Sequence, residues 1–435
     1  MPADKIALLG LFIIALLIAR FIVTSRSAIM FSEPIKLSYT GLSVSIPAGN
    51  GWRSEKKWKY QQNAFTLSSV FTIGSGGLPP QVHCRYLLAA TNPAPDMRVK
   101  ERASAIGGEV VETGQIQTGT LTIDWAHIKK ADISLDLFFG TVKLPNSRRL
   151  DIEVFQSAGD ADLAEQVFKG VAESLKFKDN QLLEAGSEIV TEIKNTGIDR
   201  FLYNKSRQTS FLVKDAAGRA IGFTMDVLTD SGRDAQLNIQ AASFFYIRGR
   251  YGREQAAFFQ SGNNLDEFAW KSETTGITGV SGTELTLDET GVMTIRTFSP
   301  QPKEKNYQLS SAAIPEVFLD LTFGQILDSN HKKIIVDVIN ADGKITPTLI
   351  SRIEAEDTAA AEEDGYILRV EFLDGRGFSE QVYLDAQYQV SKSLLQQDGI
   401  YTIERSSLKD IAKQFPERAD YILQKNKILE QSQPQ

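Results

Sequence analysis

One cysteine and three histidines stand in 435 residues. With Cys84 alone, an intramolecular disulfide, a thiolate zinc cage and a CxxC redox pair are excluded. Export stays open, because a chain of this size can build cores that need no disulfides. His83, His127 and His331 lie far apart, and none has a companion at the HExxH spacing that places two imidazoles on one helix face. His83 and Cys84 are neighbours, and neighbours on a strand point to opposite faces. No GxSxG elbow occurs, so serine-hydrolase chemistry has no anchor. Basic charge is also short: 47 Lys and Arg face 54 Asp and Glu, a formal net charge of −7. That balance argues against a general nucleic-acid binder, which needs a basic face. No metal and no cofactor is expected from these residues.

The chain does hold one long apolar run. Ile6 to Val23, IALLGLFIIALLIARFIV, is unbroken to Ala19, interrupted by Arg20 and resumed by Phe21. About 20 apolar residues span a bilayer, and an arginine near the end of such a run can reach the headgroups. Residues 1–30 are therefore expected to form a membrane anchor, with a transmembrane helix over 6–23. The competing reading is a cleaved signal peptide, since Ser25 and Ser27 place small residues around a cleavage site. The short N-terminal flank and large polar body put the bulk of the chain in the periplasm, or release it if the segment is cleaved.

From Gly41 to about Lys178 the pattern is mostly strand. GLSVSIPAGNGW (41–52) alternates and then stops at Pro47; Phe65 to Ile73, Val82 to Leu88, Gly119 to Ile128, Leu135 to Leu144 and Arg149 to Phe155 are rich in β-branched and aromatic residues. Val99, Ala103 and Ile106 predict a helix stopped by Gly107-Gly108, and Leu163, Val167 and Val171 predict a second. This order, from GLSVSIPAGNGW to DLAEQVFKGVAESLKF, resembles the PsbP-like α/β/α sandwich family over residues 38–178. The resemblance implies a binding or assembly module and brings no functional residues with it.

Residues 179–199 predict a connector helix, with Leu182, Ala185, Ile189 and Ile193 on one face and Gly197 at its end. Residues 200–405 then change texture. Phe211 to Leu228, Ile335 to Ser351 and Ile367 to Leu384 each read as strand, glycine-containing turn, strand. Ala313 to Asn330 predicts a helix with Pro315 in its first turn. Residues 406–435 predict C-terminal helices, capped at Ser407 and reset at Pro416. A long antiparallel meander with one helix inserted late resembles the half-open barrels of LolA/LolB-like lipoprotein carriers. If that holds, the concave face under the 313–330 helix would take an apolar ligand.

Three stretches invite chemistry. Ile73-Gly74-Ser75-Gly76-Gly77 could cradle an anion, but the lysine and hydroxyl of a P-loop are missing and Pro79-Pro80 follows, so a strand connection is the better reading. Glu354 to Asp364 collects six carboxylates without EF-hand spacing and reads as a hydrated loop. FYIRGRYGRE sets Arg248, Arg250 and Arg253 beside Tyr246 and Tyr251, a pattern suited to a phosphate, a headgroup or an acidic sugar, and equally to a solvated hairpin. These five residues are the ligand-binding candidates.

The expected fold is α+β: an N-terminal transmembrane helix, a PsbP-like α/β/α sandwich over 35–178, and a β-rich antiparallel half-barrel with inserted and C-terminal helices. The expected function is a non-catalytic, membrane-anchored extracytoplasmic binding or scaffold protein with a protein partner or an apolar or lipid ligand. Two alternatives remain open. One is a carrier of acyl chains, and the other is an envelope hydrolase working through carboxylates that no motif reveals.

Overall fold

The computed structural model describes residues 29–72, 79–90, 94–157, 161–196, 206–230, 237–248, 251–261, 265, 267–276, 279–298, 302–353, 365–396 and 399–424. Its first large sheet is antiparallel. Glu109–Thr118, Leu121–Lys130, Leu135–Leu144, Arg148–Ser157, Gln81–Leu87, Ala64–Phe71 and Trp52–Ser54 follow one another across it. Period-two alternation decides its faces. Leu137 and Phe139 point one way, into a cluster with Val99 and Ala103 of the helix Pro95–Ile106. Phe138 points the other way, its ring 6.1 Å from Phe168 of the helix Ala161–Ser174. Ion pairs from Arg98 to Asp151 (3.0 Å) and from Arg102 to Glu153 (2.6 Å) fasten the first helix to the sheet. The opening strand Leu42–Val44 pairs with Lys176–Phe177 in a small separate sheet, and Leu42, Val44 and Ile46 are all buried.

The second sheet has fifteen strands, from Ser206–Lys214 to Ile400–Arg405 in chain extent. Its edge strands, Lys303–Gln308 and Ala313–Pro315, are consecutive in the chain, with only residues 309–312 between them. Laid flat, fourteen spacings of about 4.8 Å would part them by roughly 67 Å. Five Cα steps reach at most about 19 Å. The sheet must therefore curl until its edges approach. Contacts across the curl agree: Ser272 Oγ donates at 3.0 Å to Ala341 O, in the turn between two strands nine and ten places away in sheet order. The helix Leu319–Asp328 lies against this sheet, with Phe323, Ile326 and Leu327 buried. One buried apolar cluster runs through both large sheets.

This architecture corrects the expected α+β class. The described chain is β-rich, with 26 strands and five α-helices, and each face of the first sheet carries a single helix rather than a helical layer. The half-barrel is instead a sheet curled on itself, because antiparallel hairpins pair in chain order and Ser206–Lys214 closes onto Ile400–Arg405. No helix among the described residues is long and apolar enough to cross a membrane. The run Ile6 to Val23, on which the transmembrane helix was expected, lies outside the described residues. The helix predicted over Ala313 to Asn330 begins only at Leu319. Ala313–Pro315 adds a parallel strand to the sheet edge first, and proline suits an edge because it has no N–H to donate.

The connector helix Gln181–Thr196 leads from the first sheet to the second. It packs on the strand Lys333–Ile339, and the contact needs a glycine: a Cβ on Gly186 would stand 1.8 Å from Ile335 O.

Candidate functional site

The five ligand-binding candidates divide. Tyr246 closes the strand Leu237–Ile247 and is buried. Arg248 follows it, with Nε 2.8 Å from Glu417 Oε1, Nη2 donating to Gln414 O at 2.7 Å, and the guanidinium 4.7 Å above the Phe415 ring. Phe415, fully buried, packs on Phe223 and on Tyr246, and Arg418 covers the Tyr246 ring at 5.1 Å. Both residues thus hold the C-terminal helix Leu408–Gln414 and the turn after it against the sheet. Arg250 lies outside the described residues. Tyr251 and Arg253 belong to the strand Tyr251–Ser261, their backbones opposite Ile247 and Phe245, with side chains outside the description.

The histidines lie apart from one another. His83 is half-buried with its ring 5.9 Å from Phe155, and burial lowers its pKa, with Arg102 adding to the effect and Glu55 opposing it. His127 is buried, with Nε2 2.6 Å from Asp136 Oδ1 and its ring stacked on Phe138 at 4.3 Å. His331 meets Glu188 at 2.9 Å on the surface. Cys84 is buried, which pushes its thiol up to about 12 and makes it a poor nucleophile. Among the described residues no three His, Cys, Asp or Glu side chains gather as metal ligands. The glycine run 73–77 and the acidic run 354–364 fall outside the described residues.

A constellation that the sequence reading missed lies between the sheets. The hairpin turn 145–148 takes Asn146 and Ser147 through left-handed conformations (φ 57° and 56°), which reverses the chain tightly and sets Arg148 at the start of its strand. Arg148 Nη2 stands 2.7 Å from both carboxylate oxygens of Asp337, in the other sheet. Arg148 also donates to Leu88 O, and Ser310 Oγ donates to Asp337. Burial opposes the arginine's charge, but Asp337 and Tyr86 outweigh it, and its pKa is raised. One signal pointed here: after the exposed Lys333, Asp337 is the one polar residue in the strand KIIVDVI, and a carboxylate placed in such a run needs a buried partner.

Beside this pair opens a cleft of about 550 Å³. Leu265, Phe268 and Leu287 supply an apolar wall, while Lys143, Asn146 and Ser311 supply polar groups. Ser311 Oγ is 2.7 Å from Ser187 Oγ of the connector helix and 3.4 Å from Asn146 Oδ1, so the polar side is cross-linked to both sheets. Such a cleft, an apolar wall facing a polar one, suits an amphipathic ligand or peptide segment.

Carboxylates also meet on the curled sheet. Asp226 is held up at about 6, first by burial and then by Asp320 and Glu316, with Thr224 partly opposing. Glu380 is raised by burial and by Asp320, against a hydrogen bond from Ser393. Asp320, in the first turn of the helix Leu319–Asp328, is thus the shared neighbour. Asp226 and Glu380 stand four strand spacings apart, about 19 Å along the sheet.

No protein-family model matches the chain, and no curated protein does. Among solved structures it is similar to a beta-barrel-like protein of a domain of unknown function, DUF1849, from Brucella abortus, with 8% identity and a TM-score of 0.34, covering 46% of this chain and 95% of that one. It is also similar to a DUF1089 family protein from Pseudomonas aeruginosa, with 12% identity and a TM-score of 0.19, covering 43% and 88%.

Proposed function

We propose that the protein is a non-catalytic extracytoplasmic binding or scaffold protein whose ligand or partner segment enters the cleft between its sheets. The observation that carries this reading is the cleft itself: about 550 Å³, an apolar wall facing polar groups of which Ser311 and Asn146 are cross-linked, beside the buried Arg148–Asp337 pair. Placement outside the cytoplasm rests on the apolar run 6–23.

The alternatives draw less support. A carrier of acyl chains wants room under the helix Leu319–Asp328, yet Phe323, Ile326 and Leu327 are buried in the same cluster as Ile350, Leu368 and Val382. A hydrolase of the two-carboxylate kind wants its acids about 5–9.5 Å apart. Asp226 and Glu380 both neighbour Asp320, but their carboxyls are raised chiefly by burial, and among the described residues no hydrogen bond joins the two.

Mass spectrometry of the full chain purified from its native membrane tests the proposal. A co-purifying species should be present, and it should be lost from Leu287→Trp, which fills the cleft. A species retained at full occupancy by that variant, or none at all, would count against the cleft.

A further inference from the structure

A second concavity, distinct from the cleft, carries the opposite charge to the chain as a whole. The edge strand Lys303–Gln308 pairs with Val292–Thr297, and alternation sets Lys303, Lys305 and Tyr307 on one face, opposite Thr297, Ile295 and Met293. That face borders a groove of about 330 Å³. Its far wall is the turn 340–344, brought in tightly by Gly343: the glycine has φ +76°, and a Cβ there would stand 2.3 Å from Ile295 Cδ1. The first sheet clamps this turn. Asn63 accepts from Ile345 N at 2.7 Å and donates to Gly343 O at 3.1 Å, and Tyr60 donates to Ile345 O at 2.6 Å. The groove is therefore held in shape by backbone and buried amide bonds rather than by its own charged groups.

Three ammonium groups, Lys303, Lys305 and Lys344, line it against one carboxylate, Asp342. Lys344 is engaged, 3.3 Å from Asp374 and 5.0 Å over the Tyr60 ring, and Asp342 accepts from the backbone N–H of Lys344 at 3.1 Å. Lys303 and Lys305 are exposed and have no ion pair among the described residues. Lysines on an edge strand also discourage edge-to-edge pairing. Here, however, two of them and a tyrosine face a preformed hollow in a protein of net charge −7.

We propose that this groove binds a small phosphate ester. Lys303 and Lys305 lie two residues apart, about 7 Å along the strand, and their long stems can converge on one tetrahedral dianion. The lining's surplus of two positive charges matches a phosphate monoester, which carries about −1.5 to −2 at neutral pH. A planar carboxylate is better matched by the fork of an arginine, and none lines the groove. The inference does not depend on the cleft between the sheets.

Calorimetric titration of the full chain with inorganic phosphate, glycerol 3-phosphate and a short-chain phosphatidic acid below its micellar concentration tests it. One saturable site is expected, weakened by salt and weakened at least about tenfold in Lys303→Gln/Lys305→Gln. Lys129→Gln, on the first sheet, should bind like the unaltered protein. Binding of glycerol 3-phosphate assigns the source to soluble esters. Binding of phosphatidic acid alone, with the same lysine dependence, assigns it to a lipid headgroup. The proposal is overturned if no probe binds, if the double variant binds unchanged, or if succinate binds as well as the phosphates. Both lysines are exposed, so the double variant should keep its thermal midpoint, and a lost site then reports the groove and not the fold.

Discussion

Arg148 and Asp337, 189 residues apart in the chain, meet inside the protein with one guanidinium nitrogen 2.7 Å from both carboxylate oxygens. Side-chain exposures of 4% and 1% make this a desolvated pair joining the two large sheets. Its members matter most when one is missing, because an unpaired buried charge keeps its desolvation cost and loses its compensation.

Arg148→Met is expected to destabilise the chain by about 3–5 kcal/mol. Adding Asp337→Leu should restore more than half of that loss, since no charge is then stranded. Chemical denaturation of the two single variants and the double variant checks this, and strictly additive losses would contradict the pairing.

The connector helix makes a second, purely steric claim. Gly186→Val should cost about 3 kcal/mol or more, because even a Cβ would stand 1.8 Å from Ile335 O and a backbone carbonyl cannot swing aside. Hydrogen exchange would show faster exchange across Lys333–Ile339 if the helix lifts from its strand. Unchanged protection there would show that the contact is dispensable.

Asp226 carries a pH signature. Its carboxyl titrates near 6 in the fold and near the ordinary carboxylate value when unfolded, so the native state binds the proton more tightly. Stability from this group is therefore present below about pH 4 and lost as pH rises through about 6, by about 1–3 kcal/mol. Asp226→Asn should flatten that part of the curve and raise the urea midpoint at pH 7 relative to the unaltered protein. A midpoint at pH 7 that stays put would mean that the carboxylate is already well solvated.

At the C-terminal end, Phe415 and Arg248 should differ in weight. Phe415→Ala removes a fully buried ring from Phe223 and Tyr246 and is expected to cost about 3–5 kcal/mol. Arg248→Ala removes a half-exposed ion pair with Glu417 and should cost less than about 1 kcal/mol. Thermal melts of both variants rank them, and the reverse order would show that Arg248, not the Phe415 ring, carries this contact.

Much of the local structure was legible. The helix over Val99 and Ala103 runs Pro95–Ile106 and ends at Gly107 in a left-handed conformation, as its glycine pair predicts. Ser407 caps its helix by accepting from Asp410 N. The strand Glu109–Thr118 escaped notice because it is largely exposed on both faces, so no apolar alternation marks it. Arg248 shows a related limit: sequence shows an arginine's charge but not that Glu417, 169 residues on, already meets it.

Period and punctuation are properties of neighbours in the chain, and they determined many of the strands, the turns at Gly343 and Gly375, and the apolar faces of the first two helices. The absence of paired cysteines and clustered histidines likewise removed whole chemistries without any coordinates. Only the tertiary structure could decide that one sheet takes fifteen strands and curls until Lys303–Gln308 and Ala313–Pro315 approach. It alone could set Arg148 against Asp337, and Lys303 and Lys305 across from the turn that Asn63 clamps. Such contacts join residues tens to hundreds of positions apart, and they are chosen by the free energy of burying whole faces together, a quantity that no local pattern contains.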